Sequence, residues 1–213
     1  MARTKLKRLS KLNEMPNIFN IKNSDIKEDL NNYLDNPKSY TLEIGCGHGD
    51  YSVELALKNP QRNFIGIDVK GARIYKGARR ALDFNLNNVA FIVSKAEWLG
   101  EIFQPKSIEE IYIPFPEPHV KRANHNRRLL SPSLLKLYKH LLSDSGLVHF
   151  KTDNEGLCAF AVKSIFSSGG KILNQTDDLY SNYDIKYQQN IVTSFEKYYV
   201  DQRKQIKYIC FRF

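Results

Sequence analysis

The chain has 213 residues, 42% of them apolar, which suits one α/β domain with a substantial core plus an appended segment and excludes two full domains. Its formal charge of +9 and pI near 9.3 point to a polyanionic partner wherever the cations cluster. Cysteines at 46, 158 and 210 form no Cys-x-x-Cys pair and no metal set with the five scattered histidines, and no apolar run reaches membrane-spanning length, so a reduced cytoplasmic protein without metal or membrane contact is expected.

Residues 1–36 are polar, basic and Asn-rich, with Arg3, Lys5, Lys7, Arg8 and Lys11 near the start. They read as an N-terminal arm and a short helix over 25–34, there for contact rather than core, ahead of a folded domain over 37–213. The first strand of that domain, 40–44, runs into Leu42-Glu-Ile-Gly-Cys-Gly-His-Gly49, and the next, 63–68, ends on Asp68. A glycine turn lets backbone approach a ligand without a Cβ in the way, and an acid ending the following strand can hold a ribose diol. The spacing Gly45-x-Gly47-x-Gly49 puts Asp50 where a dinucleotide fingerprint has its third glycine, and a carboxylate there repels pyrophosphate. Glu43 argues the same way. S-adenosylmethionine, a sulfonium with an ammonium and a ribose but no phosphate, meets both objections.

Further strands are expected at 89–93, 108–113 and 147–151, alternating with helices over 51–57, 71–84, 97–103, 132–142 (capped by Ser131) and 155–167. That alternation gives a parallel sheet with helices on both faces. Two late strands, 172–175 and 205–213, are read with no helix between them, which suggests an antiparallel edge. The expected fold class is a Rossmann-like sheet of seven strands with an antiparallel C-terminal edge, similar to the sheet of class I methyltransferases. In such sheets the ligand lies beyond the carboxyl ends of the strands. Ser94 to Glu97 would there meet an adenine ring through the Ala96 amide and the Glu97 side chain, although for Glu97 a solvated helix-start acid is an equal alternative.

After the fourth strand, prolines 114, 116 and 118 hold the chain extended, stiffening whatever Glu117 and Lys121 do. The segment then turns cationic at Lys121, Arg122, Arg127 and Arg128, so that a stiff acid beside the methyl donor leads onto a phosphate track.

Here the chain resembles the bacterial-type tRNA (guanine-7-)-methyltransferases, over residues 38–213. Phe115-Pro-Glu-Pro-His-Val-Lys121 through Asn126-Arg-Arg-Leu129 is similar to that family's Phe-Pro-Asp-Pro-Trp-x-Lys loop and following basic run. Lys151-Thr-Asp-Asn154 matches its Lys-Thr-Asp-Asn, and Thr193-Ser-Phe-Glu196 its Thr-x-Tyr/Phe-Glu. The resemblance implies cofactor contacts from Glu43, Asp68 and Glu117 and tRNA contacts from Lys121, Asp153, Thr193, Phe195 and Glu196; Arg127 joins them on the phosphate track, and Gly45 and Gly47 belong to the cofactor turn. Lys95, Glu117, His119 and Asn124 depart from the family's usual Asp, Asp, Trp and His.

Ring nitrogen 7 of guanine carries a lone pair and no proton, so methylating it requires no general base. Positioning by acids such as Glu117 is the expected mechanism. A methyltransferase acting on another substrate and a non-catalytic RNA-binding protein are the alternatives.

Overall fold

The computed structural model describes residues 10–22, 25–34, 39–181 and 191–213. Short runs rich in Ile, Val and Phe, bounded by turn residues, form strands buried on both faces: β2 (Tyr40–Ile44) and β3 (Asn63–Asp68) are buried at every position. With β1 (Ile18–Asn20), β4 (Val89–Val93), β5 (Ile108–Pro114), β6 (Leu142–Thr152), β7 (Lys171–Thr176) and β8 (Lys207–Arg212) they make one sheet in the order β1-β4-β3-β2-β5-β6-β8-β7. The strands from β1 to β6 pair in parallel; β8 is antiparallel to both β6 and β7. The chain winds outward from β2 to β4 and then returns to build β5 and β6 on the other side. The β2/β5 boundary is therefore the switch point at which such sheets bind ligands.

Seven α-helices connect the strands among the described residues: α1 (Ile26–Tyr33), α2 (Asp50–Lys58), α3 (Gly71–Asp83), α4 (Leu99–Ile102), α5 (Pro132–Leu141), α6 (Glu155–Ser167) and α7 (Ser194–Asp201). No described helix is long and apolar enough to cross a membrane.

The sheet has eight strands rather than seven. The extra one, β1, comes from the polar leading segment: Ile18, Phe19 and Asn20 pair with Phe91, Ile92 and Val93. Leu12, Phe19, Ile26, Leu30 and Leu34 are buried, so this segment supplies core as well as contact. Its few apolar residues fall at the spacing that covers the β4 edge, and an otherwise polar composition hides them. A second difference is α7, which lies between β7 and β8 where no helix was expected. A capping box starts it, with the Thr193 hydroxyl accepting from the Glu196 amide while the Glu196 carboxylate accepts from the Thr193 amide. The third difference is β6, which begins at Leu142 directly after α5.

An aromatic stack crosses one face of the sheet. Tyr51 of α2 packs on Tyr112 of β5, whose ring lies 4.5 Å from that of His149 on β6, and His149 accepts from or donates to the Tyr208 hydroxyl at 2.9 Å. Burial pushes His149 down to about 4; Glu110 opposes this, while Lys151 and Arg62 add to it. The unfolded chain therefore takes up a proton at this site at a higher pH than the folded one, so stability should fall as pH drops from about 6.5 to about 4. Urea unfolding across that interval should show the loss, and His149→Gln should flatten it; equal slopes in the two proteins would remove His149 as the cause.

Candidate active site

At the carboxyl end of β2 the chain must turn sharply into α2, and Gly45, Gly47 and Gly49 all take positive φ there. Gly49 also lacks room for a side chain, since a Cβ would sit 2.4 Å from the Phe91 ring. Gly47 is the opposite case: nothing lies within 4 Å of its missing Cβ, so the backbone there faces open space. The turn is held from β3, where Asp68 accepts from the Gly47 amide through Oδ2 (3.0 Å) and from the Lys70 amide through Oδ1 (2.8 Å). Glu43, 3% exposed, accepts from both the amide and the hydroxyl of Ser52 at the start of α2. Burial pushes its carboxyl up to about 8, with Asp50 adding to the effect and Ser52 opposing it.

The space in front of this turn is a cavity of about 530 Å³ at the switch point, within the range of small-ligand sites. Glu43 of β2 and Gly45 and Gly47 of the turn after it line it, with Pro114 to Pro118 at and beyond the end of β5, Thr152 to Asn154 at the end of β6, Lys70 and Arg73 at the start of α3, Thr193 capping α7 and Tyr199 within it. Among the expected residues it thus gathers Glu43, Gly45, Gly47, Glu117, Asp153 and Thr193. Asp68 stands behind the turn rather than on the cavity wall. Ala96 and Glu97 follow β4 on the same rim, next to Asp68, whose carbonyl accepts from the Ser94 amide; Ala96 is buried and Glu97 exposed. Lys121 and Arg127 are exposed and lie outside the cavity wall. The Phe195 side chain falls outside what the structure describes.

Glu196 has a different environment from that of a residue touching RNA. It is fully buried, accepts from Lys151 Nζ at 2.7 Å and from the Tyr180 hydroxyl at 2.9 Å, and closes the capping box on Thr193. Its carboxylate therefore fixes residue 193 at the cavity edge from behind. Arg127 and Arg128, indistinguishable as a basic pair, also part company. Arg128 is 6% exposed, and its guanidinium donates to the carbonyls of Pro118 and His119 and lies 4.4 Å from the Phe160 ring centroid, tying down the proline loop. Phe115 and His119 in that loop have φ of 49° and 41°, strain that such a tether sustains.

Two further features emerge only in three dimensions. Tyr199 packs against Phe115 with ring centroids 5.7 Å apart, and Lys204 donates to Asp153 at 3.1 Å. Cys46 in the turn is buried and its thiol is pushed well up, chiefly by burial, which disqualifies it as a nucleophile. Among the described residues no group of three or more His, Cys, Asp or Glu is placed to hold a metal ion.

A family model described as "Putative methyltransferase" matches residues 37–209. The chain is 36% identical over 220 aligned positions to the tRNA (guanine-N(7)-)-methyltransferase of Christiangramia forsetii, covering 99% of this chain and 98% of that one. It is 35% identical over 218 positions to the enzyme of the same name from Cytophaga hutchinsonii, covering 100% and 99%. A solved antibiotic-related methyltransferase superposes with a TM-score of 0.65 over 87% of this chain and 93% of that one; at 18% identity this shows the fold alone.

Proposed function

The chain belongs to the tRNA (guanine-N(7)-)-methyltransferase family, and from that premise we propose that its cavity holds the target guanine in line with the methyl donor by acids that position and take no proton. It is an enzyme that methylates tRNA at guanine nitrogen 7, with S-adenosylmethionine as donor. The observation that carries the positioning reading is the cavity wall itself. It brings Glu43, Glu117 and Asp153 to one rim, and the thiol that also borders it, Cys46, is held protonated by burial.

The residues present fit the donor. Open backbone at Gly47 leaves room for it, Glu43 offers an acceptor to an ammonium, Asp68 holds the turn from behind through the Gly47 amide, and the Ala96 amide with Glu97 stands beyond Asp68 for the adenine. When bound, it supplies a methyl group on a sulfonium. Glu117, on the rigid proline loop, and Asp153, at the end of β6, then hold the base's N–H edge and offset the positive charge that methylation leaves on the ring. Thr193 borders the same space. Lys121 and Arg127 would take phosphates, since both are exposed beside the loop. Methyl transfer to bulk tRNA, followed by strand scission selective for 7-methylguanosine, tests the reading; label in another nucleoside would refute it.

Glu43 gives a test of the cofactor contact. With its carboxyl near 8 in the free protein, it is largely protonated at pH 7, and a neighbouring cation favours the ionised form. Binding of S-adenosylmethionine should therefore release protons at pH 7 to 7.5, seen as a calorimetric enthalpy that varies with the buffer's heat of ionisation. Glu43→Gln should abolish that release. Buffer-independent enthalpies in the wild type would take Glu43 out of contact with the ligand.

For the RNA track, affinity for tRNA should fall steeply with salt, because it comes mainly from phosphate contacts. Replacing Arg3, Lys5, Lys7 and Arg8, which lie outside the described residues, should flatten that slope while leaving cofactor affinity intact. A slope equal to that of the wild type would deny the leading segment an RNA role.

A further inference from the structure

Asp153 and Tyr199 line the cavity from β6 and α7, and one side chain engages both. Lys204, in the turn between α7 and β8, donates from Nζ to Asp153 Oδ2 at 3.1 Å and places the same ammonium 4.4 Å from the centroid of the Tyr199 ring. Lys204 is half exposed and Asp153 less so, with side-chain exposures of 45% and 22%, so Lys204 reaches from the mouth of the cavity onto an acid of its wall. Tyr199 in turn packs on Phe115 at a tilt of 38°, which fixes the ring against the proline loop.

A carboxylate beside an aromatic face is what a guanine base asks for. Its ring N1–H and exocyclic amine donate side by side to a carboxylate, and its face stacks on an aromatic ring. Lys204 satisfies both features in the protein without RNA: its N–H groups take the carboxylate and its charge takes the ring face. A base cannot occupy the same face of Tyr199 and the same oxygen of Asp153 while Lys204 stays.

We propose that Tyr199 and Asp153 form the subsite for the target guanine, and that Lys204 is a placeholder in it, a positioning residue that a base must displace and that a base with a guanine-type donor edge displaces best. This rests on the guanine-methylating reading above and extends it to how the base is admitted. The cost of displacement is small, because an exposed ion pair and an exposed cation on an aromatic ring are each weak. Together they correspond to about a fivefold effect on affinity. Adenine, whose Watson–Crick edge places an acceptor where guanine has N1–H, would regain less from a freed carboxylate.

The test uses the full chain and measures binding of guanosine 5′-monophosphate and adenosine 5′-monophosphate by nucleotide proton NMR titration, for the wild type, Lys204→Met and Lys204→Arg. Lys204→Met should bind the guanine nucleotide about fivefold more tightly and the adenine nucleotide less improved, although the lost charge works against any phosphate ligand. Lys204→Arg, which keeps both contacts, should behave as the wild type. Unchanged or weakened guanine binding in Lys204→Met would overturn the placeholder, as would an equal gain for both nucleotides, since Lys204 would then cover only the ring. Tighter binding is not a result that a damaged fold produces. Methylation of tRNA by the wild type, assayed in parallel, reports separately on the functional reading, so an active wild type with an unaltered Lys204→Met refutes the placeholder alone.

Discussion

Lys151→Met should lower the free energy of unfolding by about 3 to 5 kcal/mol, as expected when one member of a buried ion pair is removed. Lys151 is 3% exposed and Glu196 0%, so the carboxylate left behind would be stranded without water. Burial pulls the Lys151 ammonium below its usual range, and the carboxylate 2.7 Å away opposes that pull. The same carboxylate receives the Tyr180 hydroxyl and the Thr193 amide, so losing its cation should loosen the start of α7 and with it Thr193 and Tyr199 at the cavity edge. Removing both charges in Lys151→Met/Glu196→Leu should recover part of the loss, since no buried charge then remains, and only part, because the capping box loses Glu196. Urea unfolding of the three proteins measures this. A single mutant within about 1 kcal/mol of the wild type would mean that the pair contributes no more than a surface contact.

Asp153→Ala and Glu117→Ala should each reduce kcat by about 100-fold or more while changing tRNA affinity little. Both acids line the cavity, whereas the exposed Lys121 and Arg127 proposed to meet phosphate lie outside it, so orientation and affinity should reside in different residues. Steady-state kinetics beside filter-binding titrations separate the two quantities. Comparable losses in both would show that these acids bind RNA in general and do not hold the reacting base.

The central strands were legible because they are apolar runs closed by turn residues, and the place of Glu43, the glycines and Asp68 near strand ends marked the turn that borders the cavity. What stayed hidden depended on partners distant in sequence. Lys151 and Glu196 lie 45 positions apart, and nothing in either motif shows that they neutralise each other in the core. Lys204 and Asp153, separated by 51 positions, meet only because β8 returns alongside β6. Arg127 and Arg128 differ by one position and by their whole environment, which a charge count does not resolve. The helix α7 was within reach: Thr193-x-x-Glu196 is a capping-box signature, and reading it only as a substrate motif concealed the helix it starts. β1 was not, since three residues among asparagines carry too little periodicity to mark a strand.

The claim that the site positions guanine and takes no proton is tested most directly by single-turnover methylation of tRNA from pH 6 to 9, with cofactor and tRNA saturating, in the wild type and Glu117→Ala. Saturating cofactor removes the ionisation of Glu43 from the rate. The wild-type rate should be flat with pH and the Glu117→Ala rate lower by a constant factor, because ring nitrogen 7 has no proton to lose. A wild-type rate that rises with a single deprotonation, absent in Glu117→Ala, would make Glu117 a general base and contradict the mechanism.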